Sequence, residues 1–248
     1  MPLAPADLRR IALRASLLQA TWNYERQQGL GWAFSLLPAL ERLYPDRETR
    51  AARIAEHTAY FNTQPTLASV ALGAVARLEE QRAAGPEIDG DQIARIKGVM
   101  GSALAALGDR LFWFTLRPFA ACLGMIFAVQ GSWRGAVAMW VCYNALHLGL
   151  RWRGVAWGYR GGPGVLVGGL RAALERLIGR LAGLGSILTG VLTALLLVPG
   201  GEPRDVTFQV LLIAGLALGL LTAVRARPTP SQWALGLGAL AVASAWVR

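Results

Sequence analysis

From residue 111 to its carboxyl end the chain is a succession of apolar stretches, at 111–130, 133–150, 181–198, 206–224 and 232–247. About twenty helical residues cross the hydrocarbon core of a bilayer, and about seventeen is near the lower limit. The last stretch, at 16 residues, is short, and the first is interrupted by Arg117-Pro118. Backbone in lipid must satisfy its own hydrogen bonds, which leaves helices or a closed barrel. No segment alternates with period two for long enough to make barrel strands, so the expected fold is all-α and polytopic, with about five spans. Charged residues make up 16% of the chain, against about 25% in ordinary soluble domains.

Charge divides the chain into unlike halves. Residues 1–110 carry 13 basic and 12 acidic groups, and residues 111–248 carry 12 and 3. The excess arginines sit between apolar stretches and form no exposed stripe, which argues against nucleic-acid binding and for topology signals. The segment 151–180 has six arginines against Glu175, and the positive-inside rule places it in the cytoplasm. Arg225 and Arg227 then fall on the same side, and Glu202, Arg204 and Asp205 fall outside. No cleavable signal is apparent at the start, so the amino end is expected in the cytoplasm.

Residues 1–97 read as a cytoplasmic or interfacial helical region. Leu8, Ile11, Ala15, Leu18 and Trp22 share one helical face and Arg10 and Arg14 another, which suits a helix in the headgroup layer or one packed on a partner. Gly29 and Gly31 break the helical pattern, and Pro38 and Pro45 punctuate the segment after them. Asp46 is placed to cap a helix with Ala51, Ile54, Thr58 and Phe61 on one face, stopped by Asn62-Thr63-Gln64-Pro65. A helix over about 67–82 ends at Gly85-Pro86. Asp89 and Gln92 have capping-box spacing, with Ile88 and Ile93 as a hydrophobic staple.

Residues 98–248 read as the membrane domain. Its entry, Gly98 to Asp109, is apolar, glycine-rich and acidic, as expected of a re-entrant junction and not of a lipid-facing helix. Ionisable and polar groups at membrane depth mark a partner or a water-filled path. Gly101, Ser102, Gly108, Asp109, Arg117 and Asn144 are therefore candidates for a substrate path. Asp109 serves equally as the cap of a helix starting near residue 110. Asn144 and His147 either face the same interior or join helices. His57 and His147 lack neighbouring ligand-type residues, and no Walker loop, nucleophile elbow or zinc-binding helix is present. No cofactor or metal is expected, and no catalytic residue. Cys122 and Cys142 read as small apolar filler, and the glycines between 154 and 164 as a flexible cytoplasmic linker.

Ala20-Thr21-Trp22-Asn23-Tyr24-Glu25-Arg26-Gln27-Gln28-Gly29-Leu30-Gly31, followed by Ser35-Leu36-Leu37-Pro38, resembles the opening of the IID component of mannose/fructose/sorbose phosphotransferase-system permeases. His57-Thr58-Ala59-Tyr60-Phe61-Asn62-Thr63-Gln64-Pro65 is similar to that family's His-x-x-x-Phe-Asn-Thr-x-Pro segment. Leu78-Glu79-Glu80-Gln81, Met100-Gly101, Gly108-Asp109, Leu111-Phe112-Trp113 and Thr115-Leu116-Arg117-Pro118 continue in family order, over residues 10 to about 190. The family-motif positions are Trp22, Asn23, Glu25, Arg26, His57, Phe61, Asn62, Thr63 and Pro65.

The resemblance implies a multi-pass subunit of the bacterial cytoplasmic membrane, without catalytic residues of its own. It would pair with a IIC subunit, with three copies of each, and pass a hexose inward. A cytoplasmic IIB protein, charged by IIA, would phosphorylate the sugar. Ser102, Ala106 and Arg110 depart from the family's pattern, and Arg110 is placed to neutralise Asp109. The rival reading is a degenerate, non-transporting scaffold or regulator of the phosphotransferase system.

Overall fold

The computed structural model describes residues 2–166 and 168–197, so the stretches 206–224 and 232–247, with Glu202, Arg225 and Arg227, lie outside it. The chain divides into two compact units, Met1–Thr189 and Gly190–Arg248. Of the second, only residues 190–197 are described.

Among the described residues eight α-helices occur in order: α1 Pro5–Arg14, α2 Gly29–Leu43, α3 Arg47–His57, α4 Ala68–Ala84, α5 Gly90–Leu111, α6 Arg117–Ala128, α7 Arg134–Gly161 and α8 Gly169–Leu197. Among the described residues there is no strand, only isolated bridges pairing Asn23 with Gln27 and Gln27 with Phe61.

The caps form where residue types dictate. The Asp46 carboxylate accepts the Thr49 N–H at 2.7 Å. Asp89 Oδ1 accepts from Gln92 N at 2.7 Å while Gln92 Oε1 accepts from Asp89 N at 3.4 Å, a complete capping box. Ile88 and Ile93, the staple pair, both pack on the core.

Three N-terminal expectations are corrected. The helical face from Leu8 to Trp22 breaks early: α1 ends at Arg14, a 3-10 turn covers Ala15–Leu17, and Trp22 lies exposed in the following loop. The face of Ile11, Ala15 and Leu18 points into the core. Gly29 and Gly31 open α2 instead of interrupting a helix. A Cβ on Gly31 would stand 1.9 Å from the Leu18 carbonyl oxygen and one on Gly29 2.5 Å from that of Ala59, so only glycine admits these approaches. Pro38 lies within α2. Its missing N–H frees the Phe34 carbonyl, four residues back, and Arg14 Nη1 donates to that oxygen at 3.4 Å. Phe61 lies beyond the end of α3, at His57.

The centre of the fold is α4 against α7. Ser69 and Gly73 on α4 face Gly154 and Gly158 on α7. A Cβ on Gly73 would lie 2.0 Å from the Val155 oxygen, one on Gly158 1.9 Å from the Val70 oxygen, and one on Gly154 2.0 Å from Ser69 Oγ. Small residues four apart on each helix bring the backbones together. The glycines at 154 and 158 are therefore a packing seam inside a helix and not a linker.

The segment 98–111 is helical, which corrects the re-entrant expectation. The α5 helix runs through a five-residue π-turn, Phe112–Leu116, into α6, giving one helical column over Gly90–Ala128. Among the described residues it is the one helix long and apolar enough to cross a membrane. Pro118 explains the wider turn, since in α geometry its ring would meet the Phe114 carbonyl. Thr115 Oγ1 donates to the Arg110 carbonyl at 2.7 Å within the loosened ladder. The stretch 133–150 falls in α7, and 181–197 in α8. Phe114, Trp140, Val141 and Ile187 stand exposed on these helices, outward apolar surface of the kind lipid covers.

A side chain at the α4–α7 seam has no room. Gly158→Val should destabilise the protein by about 3 kcal/mol or more through overpacking, read as loss of a monodisperse peak and a lower melting temperature. Gly149→Ala on the same helix, where nothing lies within 4 Å of the new Cβ, should leave both unchanged.

Candidate functional site

The two family-like segments, around Trp22–Arg26 and His57–Pro65, are joined to each other. Asn23 Oδ1 accepts the Arg26 N–H at 2.8 Å, and Gln27 N donates to the Asn23 carbonyl at 2.9 Å. The turn places Gln27 at φ 53°. Gln28 N then donates to the Phe61 carbonyl at 2.8 Å, and Phe61 N to the Arg26 carbonyl at 3.3 Å. The buried Gln28 side chain completes the clasp: Nε2 donates to the Thr63 carbonyl at 2.7 Å and Oε1 accepts from Thr63 N at 3.1 Å. An amide side chain thus satisfies both the N–H and the carbonyl of one residue that no helix or strand serves.

The clasped segment is wedged between α5 and α7. Phe61 lies against Gly101, whose Cβ would be 2.9 Å from the ring, and Thr63 Oγ1 donates to the Gly101 carbonyl at 2.8 Å. The Gln64 side chain covers Gly108, where a Cβ would come within 2.4 Å. Gln64 Oε1 accepts from Thr66 N at 2.8 Å and Leu67 N at 3.0 Å, closing the start of α4. Thr66 Oγ1 bonds His147 Nδ1 at 2.8 Å. The His147 ring stacks on Tyr143 with centroids 5.8 Å apart, and Phe112 meets it edge-on at 6.1 Å. The histidine thus has neighbours that sequence distance concealed.

The structure brings Gly101 and Gly108 together with Phe61, Thr63 and Gln64, but it does not link the polar path candidates. Ser102 Oγ folds back onto the Gly98 carbonyl at 3.2 Å, and Asn144 Nδ2 onto the Trp140 carbonyl at 2.9 Å. The Arg117 guanidinium lies over Trp113, 4.9 Å from the ring centre. Asp109 is half-buried within α5. It caps no helix, because the helix it was expected to start is already running, and among the described residues it has no ion pair with Arg110. Asn62, Trp22 and Glu25 are exposed, Pro65 is half-buried, and Arg26 Nη1 reaches Thr58 Oγ1 at 3.4 Å.

Beside the clasp lies a buried polar centre. Trp32 Nε1 donates to His57 Nδ1 at 3.4 Å, so the His57 proton sits on Nε2, 3.1 Å from Glu79 Oε1. The Tyr44 hydroxyl donates to Glu79 Oε2 at 2.7 Å, and Arg82 Nη1 stands 3.5 Å from Oε1 and 2.6 Å from Glu56 Oε2. Lys97 Nζ donates to the His57 carbonyl at 3.2 Å and lies over the faces of Trp32 and Phe61. Glu79 and Gln28 were missed as structural keys. The signal for Glu79 was a carboxylate in line with Leu72 and Val75 on the buried face of a helix, a placement that requires partners.

Burial acts to raise the Glu79 carboxyl, but the His57 and Tyr44 hydrogen bonds and the Arg82 charge hold it below the usual 4.5. Burial and Glu79 together push the Tyr44 phenol up. A carboxyl depressed in the folded state contributes stability above its unfolded value and loses it as pH falls through the folded one. The melting temperature should therefore drop as pH falls below about 4.5. Glu79→Gln should flatten that dependence and cost about 1–3 kcal/mol at neutral pH, because an amide has one acceptor oxygen for the two donors His57 Nε2–H and Tyr44 O–H and leaves one of them unsatisfied. A thermal-melt series from pH 7 to about 3 checks both.

Among the described residues the architecture is all-helical, with exposed apolar side chains on the later helices and one column long enough to cross a bilayer, features that helical membrane proteins share. Residues 2–198 match the family model described as the phosphotransferase-system mannose/fructose/sorbose family IID component. The mannose-specific EIID component of Escherichia coli K12 is 42% identical over 192 residues, 77% of this chain and 68% of that protein. The sorbose-specific EIID component of Klebsiella pneumoniae is 37% identical over 191 residues, 77% and 69% of the two chains. In structure the chain is similar to one in the cryo-EM complex of the mannose transporter ManYZ with microcin E492. The TM-score is 0.63 at 32% identity, over 99% of this chain and 97% of that one. A second solved chain, described as a membrane protein, gives 0.71 at 33%, over 100% and 98%. The chain belongs to the IID component family of the mannose/fructose/sorbose phosphotransferase systems, and is a membrane component of a sugar permease.

Proposed function

We propose that the chain pairs with a IIC subunit in the bacterial cytoplasmic membrane, with three copies of each. The complex passes a hexose inward, where a IIB protein charged by IIA phosphorylates it. The end-to-end likeness to a chain of the mannose transporter ManYZ carries this reading. Residues 1–97 form its cytoplasmic or interfacial region and 98–248 its membrane domain, with the basic segment 151–180 on the cytoplasmic side and about five spans in all. Uptake of labelled hexoses by cells expressing the chain with its neighbouring IIA, IIB and IIC genes tests the reading. Assembly with IIC but no uptake of any hexose would favour a non-transporting scaffold.

Within this reading, Gly101 and Gly108 serve the path indirectly, by admitting the clasped segment. Trp22, Asn23, Glu25 and Arg26 form one side of the clasp, and His57, Phe61, Asn62, Thr63 and Pro65 the other. Ser102, Asp109, Arg117 and Asn144 are the polar groups for the sugar's route. An acid at membrane depth is costly, and a half-buried one is kept for a partner or a path. Asp109→Asn keeps the size and removes the charge. Uptake should fall at least about tenfold, equivalent to about 1.4 kcal/mol, while co-purification with IIC is unchanged. Normal uptake in this variant would remove Asp109 from the path.

A further inference from the structure

The outer face of the α1–α2 hairpin has no use in the fold. The two helices run antiparallel. Arg42 Nε pairs with the buried Asp7 carboxylate at 3.4 Å near one end, the Arg14 guanidinium lies over Phe34, 4.9 Å from the ring centre, in the middle, and Gly31 abuts Leu18 at the other. While Ile11, Ala15 and Leu18 turn inward, Leu13 and Leu17 are 54% and 55% exposed, and Leu30 and Phe34 beside them 38% and 42%. Four large apolar side chains on two adjoining helices form a ridge, where isolated exposed residues would need no explanation.

The position of the ridge and its charge indicate what covers it. The α1 helix is held to α7 where the buried Arg151 donates from Nη1 to the Ala15 carbonyl at 3.1 Å. Arg151 is the first residue past the apolar stretch 133–150, and Leu148 and Trp152 around it are themselves exposed. The ridge therefore begins at the level where the apolar surface of α7 ends. Arg9 and Arg10 are exposed on α1, and Arg14 lies between Leu13 and Leu17 with its guanidinium drawn over Phe34 and onto the Phe34 carbonyl. The one acid of α1, Asp7, is buried and paired. An apolar ridge flanked by arginines that form no ion pair among the described residues matches acyl chains beneath anionic headgroups, and does not match a neutral or basic protein surface.

We propose that the α1–α2 hairpin lies in the headgroup layer of an anionic bilayer leaflet, with Leu13, Leu17, Leu30 and Phe34 toward the acyl chains. This seats the opposite face of α1 from the one its sequence periodicity suggests. The inference rests on reading 133–150 as a span. The test uses the complex with its IIC partner in nanodiscs of phosphatidylglycerol and phosphatidylcholine, with Cys122 and Cys142 replaced by alanine. A nitrobenzoxadiazole label is placed at Leu17→Cys, at Val141→Cys in the span, and at the exposed Glu48→Cys on α3. Lipids carrying a doxyl group high on the acyl chain should quench the label at 17 several-fold more than at 48. The emission at 17 should be blue-shifted, and replacing phosphatidylglycerol by phosphatidylcholine should weaken the quenching. Quenching at 141 but not at 17 would overturn the proposal while leaving the span in place, and a blue-shifted label at 17 that lipid does not quench would assign the ridge to a protein partner instead. No quenching at either position would overturn the span reading and the proposal together.

Discussion

A stretch of irregular backbone lies inside a helical membrane protein here, and the Gln28 side-chain amide makes that possible. Buried peptide groups without partners are costly in any interior, and more so where no water can reach them. The Gln28 amide offers Thr63 both a donor and an acceptor, as a neighbouring strand would. With the backbone satisfied on one side, Gly101 and Gly108 on the other let the segment lie flat against α5. Leu67 then starts α4 in the right place, and α4 seals against α7. Much of the packing depends on one glutamine and two glycines.

The polar centre holds the same region from the opposite side. Lys97, Trp32 and Phe61 share a contact that joins α5, α2 and the clasped segment. Glu79 carries α4 into it through His57 and Tyr44. Networks of this kind are favourable only when complete, since each buried charge depends on all its partners. Its members come from four separate parts of the chain, so the centre forms only when α2, α3, α4 and α5 are all in place. The helices α2 to α5 are accordingly tied together at one buried point.

Local chemistry was legible in the sequence wherever one residue decides the outcome. Asp46 and the Asp89–Gln92 pair cap the helices they were expected to cap, because a cap needs only its own next turn. The all-helical class was equally plain from apolar stretches that lack period-two alternation. Contacts between distant segments were not legible. Nothing local distinguishes a glycine that loosens a chain from one that admits a neighbouring backbone, so Gly154 and Gly158 read as a linker and Gly101 as part of a re-entrant junction. The face of α1 was misplaced for a related reason: periodicity identifies an apolar face but not what it meets. Ile11 and Ala15 met protein, and the less regular Leu13 and Leu17 were left outside.

The π-turn at Phe112–Leu116 is in effect a one-residue insertion in a helical column, and it resets the phase of everything after it. Buried positions run through Leu104, Leu107, Leu111 and Thr115 on one stripe of an unbroken α wheel, whereas Leu116, Ala120 and Gly124, in steps of four, fall on another. A helical wheel drawn through the whole column therefore assigns its second half to the wrong side. A relative lacking one residue in this turn, and with it the need to accommodate Pro118, would present the α6 face rotated by about 100°. An aligner would score that change as a single gap, although it would turn a different strip of α6 toward the rest of the protein along three turns of helix.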